Sequence, residues 1–208
     1  MTKNDMDAMY NLGWSHFQEG DLPAAEECFA DAAAGNHVDA MVNLSTLLIK
    51  KDDFEGAEKW LRKAAAADST LGMMKLAAIL HKRGDTLGAE EWLNKAAAAG
   101  DPDAMYGLGS LSFSRGEFSK AEEWYRKAIA KGHTRAMVEL LFVLEDQGNE
   151  PGVEKWFANV SELESDKVLE IAGALATEGD FISAERVTGS HLAKMSPEWA
   201  KEHHFPTE

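Results

Sequence analysis

Apolar residues return along this chain on two superposed rhythms. The short one is helical: in Met73-Met74-Lys75-Leu76-Ala77-Ala78-Ile79-Leu80, the residues Met73, Leu76, Ala77 and Leu80 fall at i, i+3, i+4 and i+7, one face of an α-helix. The long one has a period of 32 residues: Met9, Met41, Met73, Met105 and Met137, each preceded by a small residue (Ala8, Ala40, Gly72, Ala104 and Ala136). A second ladder, Cys28, Trp60, Trp92, Trp124 and Trp156, keeps step with it. Each period holds a second helical stretch, as in Ala89–Ala97, where Ala89, Trp92, Leu93 and Ala96 share a face. Between the two stretches Gly84 ends one helix and Asp85 caps the next, and Gly100-Asp101-Pro102 closes the unit. A fixed period of this size marks helical pairs stacked side by side, each burying its apolar face on its neighbour.

The punctuation repeats with the apolar pattern. The turn glycine recurs at Gly20, Gly84, Gly116 and Gly148, with Asp52 in the second unit, and a small residue follows at Ala25, Ala57, Ala89 and Ala121, where two helices must approach closely. The fifth turn, Gly148-Asn149-Glu150-Pro151-Gly152, is the weakest, and Val153 replaces the alanine. A sixth unit is worn and displaced by one residue (Ile171-Ala172, Gly179-Asp180, Ala184, Val187), as the end of an array is expected to be. Ser196-Pro197-Glu198-Trp199 then begins a short helix that would cover the last hairpin with Trp199 and Phe205. The pattern predicts an all-α single domain over 1–208, with hairpins at about 6–35, 37–67, 69–99, 101–131, 133–162 and 165–194, a cap at 196–205, about thirteen helices and no strand.

The repeated residues resemble the tetratricopeptide superfamily, and its Sel-one-like branch most closely. The fourth unit shows the pattern in full: Ala104, Leu108-Gly109, Gly116-Glu117, Ala121, Trp124-Tyr125, Ala128, Gly132 and Ala136. The resemblance covers roughly 6–194, with a hairpin turn as tight as in tetratricopeptide units. It implies a right-handed α–α solenoid whose first helices line a concave groove and whose second helices form the outer wall. It also implies an adaptor or scaffold that holds a peptide or protein segment in that groove.

On that geometry the inner helices keep a constant leucine, Leu12, Leu44, Leu76, Leu108 and Leu140, beside registers that vary. Asn11, Asn43 and Lys75 make a polar ladder; by resemblance, such residues grip a ligand backbone, and Asn43 and Lys75 match two members of a carboxylate clamp. Tyr10 and Trp14 stand where its first-unit members would be. Tyr10, Trp14 and Tyr106 are candidate anchors, with an apolar body and a polar tip. Thr46, His81, Ser110 and Phe142 complete the expected partner-binding set, while Phe17 and Phe113 divide evenly between groove and core.

The chain carries 21 basic and 36 acidic residues, a net charge of −15, which disfavours nucleic acid and anionic membranes and favours a basic peptide partner. Cys28 is the only cysteine; in the tryptophan slot it reads as a buried thiol, and no intramolecular disulfide can form. The start, Met1-Thr2-Lys3-Asn4-Asp5, lacks the apolar run of a signal peptide and no segment reaches membrane-spanning length, so the expected location is the cytoplasm. Seven histidines include no metal-ligand spacing; His37 and His133 are repeat equivalents and His203-His204 is terminal. The pairs Glu26-Glu27, Glu90-Glu91 and Glu122-Glu123 read as solvated faces, with Glu91–Lys95 and Glu122–Arg126 as helical ion pairs. No nucleophile–base pairing or phosphate loop appears, so neither catalysis nor a cofactor or metal is expected. The chain is expected as a monomer or weak homo-oligomer, and a self-assembling structural solenoid is the alternative to a binding module.

Overall fold

The computed structural model describes residues 2–195, and these form twelve α-helices and no strand. Six hairpins follow one another: α1 (Lys3–Glu19) with α2 (Leu22–Ala34), α3 (Val38–Lys50) with α4 (Phe54–Ala66), α5 (Thr70–Lys82) with α6 (Thr86–Ala98). The series continues with α7 (Pro102–Ser114) and α8 (Phe118–Ala130), α9 (Arg135–Asp146) and α10 (Glu150–Ser161), and α11 (Ser165–Thr177) and α12 (Phe181–Met195). The predicted cap, with Trp199 and Phe205, and the pair His203-His204 lie outside the described residues. Two compact units are distinguished, 1–104 and 105–208, the division falling within α7.

Helix boundaries follow from local chemistry. In α2, α4, α6 and α10 the second helix is capped by an aspartate or asparagine whose Oδ1 accepts the N–H three residues on: Asp21 from Ala24 (3.1 Å), Asp53 from Gly56 (2.9 Å), Asp85 from Gly88 (2.9 Å) and Asn149 from Gly152 (3.0 Å). The residue before that cap is left-handed, at φ +83° in Gly20 and +85° in Gly84, and Asp52 adopts the same conformation at +61°. First helices use a different set of caps in one register. His37 Nδ1 accepts from Ala40 N–H (3.2 Å), Ser69 Oγ from Gly72 (3.1 Å), Asp101 Oδ1 from Ala104 (2.9 Å) and His133 Nδ1 from Ala136 (3.0 Å). Helix α1 starts earlier, on a reciprocal box between Thr2 and Asp5.

The core is built from the two ladders of small residues. Ala40, Ala104 and Ala136 are fully buried, and Gly72 packs so tightly on Ala64 and Ala65 that an added Cβ would lie 2.9 Å from the Ala64 Cβ. In the first three hairpins the surface near the end of the second helix is an alanine pair: Ala32-Ala33, Ala64-Ala65 and Ala96-Ala97, all at most 7% exposed. Smallness on both sides lets backbones approach, and the larger leucines fill the flanks. Leu44, Leu76, Leu108 and Leu140 are buried, at 3%, 0%, 2% and 7%. Leu12 is not: it is 47% exposed.

Packing inside a hairpin shows reciprocal volumes. Gly13 lies against the Phe29 ring and Gly109 against the Tyr125 ring, where added Cβ atoms would come within 2.8 Å and 2.5 Å. The equivalent pairs read Ser45 with Leu61 and Ala77 with Leu93. In the first and fourth hairpins a glycine thus faces the ring, whereas in the fifth the same registers hold buried Leu141 and Phe157.

Candidate functional site

The first-helix positions singled out from the sequence divide into residues that hold the fold and residues left at the surface. Tyr10, half-buried, stacks on the imidazole of His37 with centroids 4.4 Å apart, and its hydroxyl accepts from Asn43 Nδ2 at 3.5 Å. The same arrangement recurs 96 residues later. Tyr106 stacks on His133 at 4.6 Å and donates to Glu139 Oε1 at 3.2 Å. In both, the histidine Nδ1 caps the next first helix, which places the ring proton on Nε2; in His37 that nitrogen faces Asp7 Oδ1 at 3.4 Å. These tyrosines therefore stitch one first helix to the next. The spacing of Tyr10, His37 and Asn43 carried that signal, but only a contact shows it.

Ser110 and Thr46 are also engaged internally. Ser110 Oγ donates to Tyr106 O at 3.2 Å and accepts from the Tyr125 hydroxyl at 3.3 Å; Thr46 Oγ1 donates to Val42 O at 3.0 Å. Burial pushes the Tyr125 phenol up to about 12, with the Ser110 bond opposing it. Phe142 is half-buried and His81 is exposed. Phe17 packs on the core beneath Trp14, their rings parallel at 5.4 Å, and Phe113 meets Phe118 at 5.6 Å.

What remains at the surface is narrower. In the first unit Asn11 and Trp14 are exposed, and Asn43, Thr46 and Lys75 are half-buried. Trp14, at 44%, is the one exposed Phe, Tyr or Trp among the described side chains. In the second unit Tyr106, Ser110 and Phe142 are half-buried.

The second helices correct two readings of the sequence. In Glu26-Glu27 and Glu122-Glu123 the first glutamate is half-buried and bridges to another helix or turn. Glu26 and Glu122 are only 25% and 18% exposed in their side chains; Glu26 pairs with Lys51 and Glu122 with Arg126 and, at 3.2 Å, Gln147 Nε2. Glu58 does the same, with Arg83 at 2.5 Å and Arg62 at 2.7 Å. These bridges join a second helix to the end of the next first helix, 25 residues on, a separation no helical periodicity reveals. Lys95 lies over the Trp92 ring at 4.0 Å, and Lys63 and Lys127 cover Trp60 and Trp124 at 4.2 and 4.1 Å. Cys28 is half-buried, not fully buried, and burial followed by the nearby Glu27 and Asp31 raises its thiol pKa, opposite to an activated nucleophile.

Among the described residues no cluster of three or more His, Cys, Asp or Glu could hold a metal, and no helix is long and apolar enough to cross a membrane. Open depressions lie on the α8 surface, around Glu122 and Arg126 and around Glu117 and Gln147, away from the first-helix positions.

Hairpins of this length, turn chemistry and stacking define a helical repeat protein. A tetratricopeptide-repeat model matches residues 10–71 and 95–135, and a Sel1-repeat model matches 71–101. The chain belongs to this tetratricopeptide-like, Sel1-like repeat superfamily, whose members are in general scaffolds for protein–protein interaction and typically non-catalytic. None of the curated proteins matches it in sequence. Solved structures share the fold. A Sel1 repeat protein from Oxalobacter formigenes is 24% identical, with 96% of this chain and 83% of that one covered at a TM-score of 0.62. The MamA protein is 23% identical over 85% of this chain and 96% of its own, at 0.60. The pilF protein of Pseudomonas aeruginosa is 17% identical, covered to 97% on both sides, at 0.63.

Proposed function

We propose that this protein is a non-catalytic interaction module that holds a peptide or protein segment on the first-helix face of its hairpins. The observation that carries the reading is Trp14: a large ring, exposed at 44%, on a helix whose exposed Asn11 offers an amide. Exposed tryptophan beside polar groups is the composition of a binding anchor. The second unit contributes less, since the hydroxyls of Tyr106 and Ser110 are already bonded within the chain. The test is cross-linking of the full chain in cells, partner identification, and recovery of that partner by purified variants. Trp14→Ala with Asn11→Ala should cut recovery severalfold while the circular dichroism spectrum is unchanged; equal recovery would overturn the assignment. Tyr10 and Asn43 are unsuited to this test because their removal disturbs the joint between α1 and α3.

A second reading, self-association through the first hairpin, is favoured by Leu12, exposed at 47% where its counterparts are at most 7%. Sedimentation velocity distinguishes it: concentration-dependent oligomers that Leu12→Lys abolishes would establish it, and a monomer at all concentrations would exclude it.

A further inference from the structure

The joints inside residues 1–104 show what a first helix takes as its neighbour. Ala40, Leu44 and Leu47 of α3 are at most 3% exposed, and Leu76 and Ile79 of α5 at most 5%. The end of the preceding second helix covers them. Ala64-Ala65 of α4 meets Gly72, and Glu58, six residues before that pair, meets Arg83 just past α5 at 2.5 Å. Helix α2 repeats both contacts on α3, with Ala32-Ala33 packed in one core with Ala40 and Glu26 paired with Lys51. An internal joint therefore has two parts: a small-residue pair on an apolar strip, and a glutamate six residues earlier on a cation.

Helix α1 keeps the first part and reverses the second. At the registers of Ala40, Leu44 and Leu47 it holds Ala8, Leu12 and Ser15, and all three are exposed. At the register of Lys51 and Arg83 it holds Glu19, with a side chain 67% exposed. Glu19 Oε1 accepts from Ser15 Oγ at 3.2 Å, His16 Nδ1 lies 4.0 Å from Oε2, and no lysine or arginine among the described residues pairs with it. A copy of this chain does not complete that joint. The register of Glu58 is glutamate in α2, α6, α8 and α10 as well (Glu26, Glu90, Glu122, Glu154), so a copy stacked in the internal manner brings glutamate to Glu19. Two copies of α1 crossing antiparallel at Leu12 set Asp5 against Glu19 at both ends. The internal connection is not reproduced either: Asn36 and Asp68 are left-handed, at φ +72° and +59°, whereas Asn4, at their register, lies within α1.

We infer that the open side of α1 docks a helix of another protein, one that sets a pair of small residues on Ala8 and Leu12 and a lysine or arginine, six residues before that pair, on Glu19. The complement is a second helix of this repeat with one charge changed. Ser15 replaces the Leu47 and Ile79 of the internal joints, so the contact is less apolar than theirs and suits reversible docking. The charge at the rim selects among helices of similar shape, and its effect fades as salt screens it. This surface is separate from the Trp14 anchor and competes with self-association for Leu12.

The probe is a helix-stapled peptide of the α4 sequence, 54–66, made once with Glu58→Lys and once with Glu58 retained. Binding of each to the full-length protein is read by fluorescence anisotropy. The lysine peptide should bind about threefold or more tighter than the glutamate peptide. Glu19→Lys in the protein should reverse that order, and Leu12→Lys should abolish binding of both peptides. Trp14→Ala should change neither, so failure of this joint and failure of the Trp14 anchor are read separately. Equal binding of the two peptides, an order that Glu19→Lys does not reverse, or no binding of either would overturn the inference. Binding lost with Trp14→Ala and kept with Leu12→Lys would overturn it in favour of the Trp14 surface. Sedimentation of the protein alone as oligomers that Leu12→Lys abolishes would overturn it in favour of a second copy.

Discussion

At the scale of single residues, the reciprocal pairs Gly13–Phe29 and Gly109–Tyr125 show how a repeat tolerates rings in its core. Gly109→Ala should cost about 1–3 kcal/mol in urea unfolding, because the new methyl meets a ring with nowhere to go. In a Tyr125→Leu background, which restores the Ala77–Leu93 combination, the same substitution should cost at least about 1 kcal/mol less. Equal costs in both backgrounds would show that the ring is not the obstacle. Tyr125 also predicts a pH dependence. Its phenol titrates near 12 when folded against 10.0 ordinarily, so the folded state holds the proton more tightly. The stability this represents is complete below pH 10 and is lost as pH rises from 10 towards 12. Tyr125→Phe should flatten that part of the alkaline unfolding curve.

At the scale of elements, the joints between hairpins carry information that single helices lack. The cap of α3 comes from a histidine that also supports Tyr10. His37→Ala should destabilise by about 1 kcal/mol, and His37→Ser should recover most of the capping share. Thermal unfolding of both variants separates the cap from the stack, and identical losses would show that the cap contributes nothing. The glutamate bridges are a second kind of joint. Their helices were legible from apolar period, turn glycines and capping aspartates, all short-range signals. Glu58 meeting Arg83 was not, since a solvated and a bridging glutamate look alike until the next hairpin is in place. The worn last unit differs in the same way: Glu154 is met at 2.5 Å by Arg186 from α12, and Gly179 stands at the register that elsewhere holds the bridging cation or Gln147.

At the scale of the whole molecule, the net charge of −15 opposes folding by self-repulsion. Raising salt from about 10 to 150 mM should therefore raise Tm by a few degrees, as screening relieves that repulsion. A fall would mean that the ion-pair bridges, which screening weakens, outweigh it. Net charge is a poor guide to partners for the same reason: it averages over registers that differ in sign between α5 and α9.

The sequence by itself determined the helices, their pairing into hairpins and the family, because helical period, left-handed turn positions and N-caps are set by residues within a few places of one another. It also located the varying positions of the first helices. Only the tertiary structure decided which of these remain available. Tyr10, Asn43, Tyr106 and Ser110 spend their polar atoms inside the chain, while Trp14, Asn11 and Lys75 do not. It likewise uncovered Leu12 and half-buried Glu26 and Glu122. Burial and partnership depend on a neighbouring hairpin some thirty residues away, and a periodic pattern assigns every unit the same neighbours whether or not they are there.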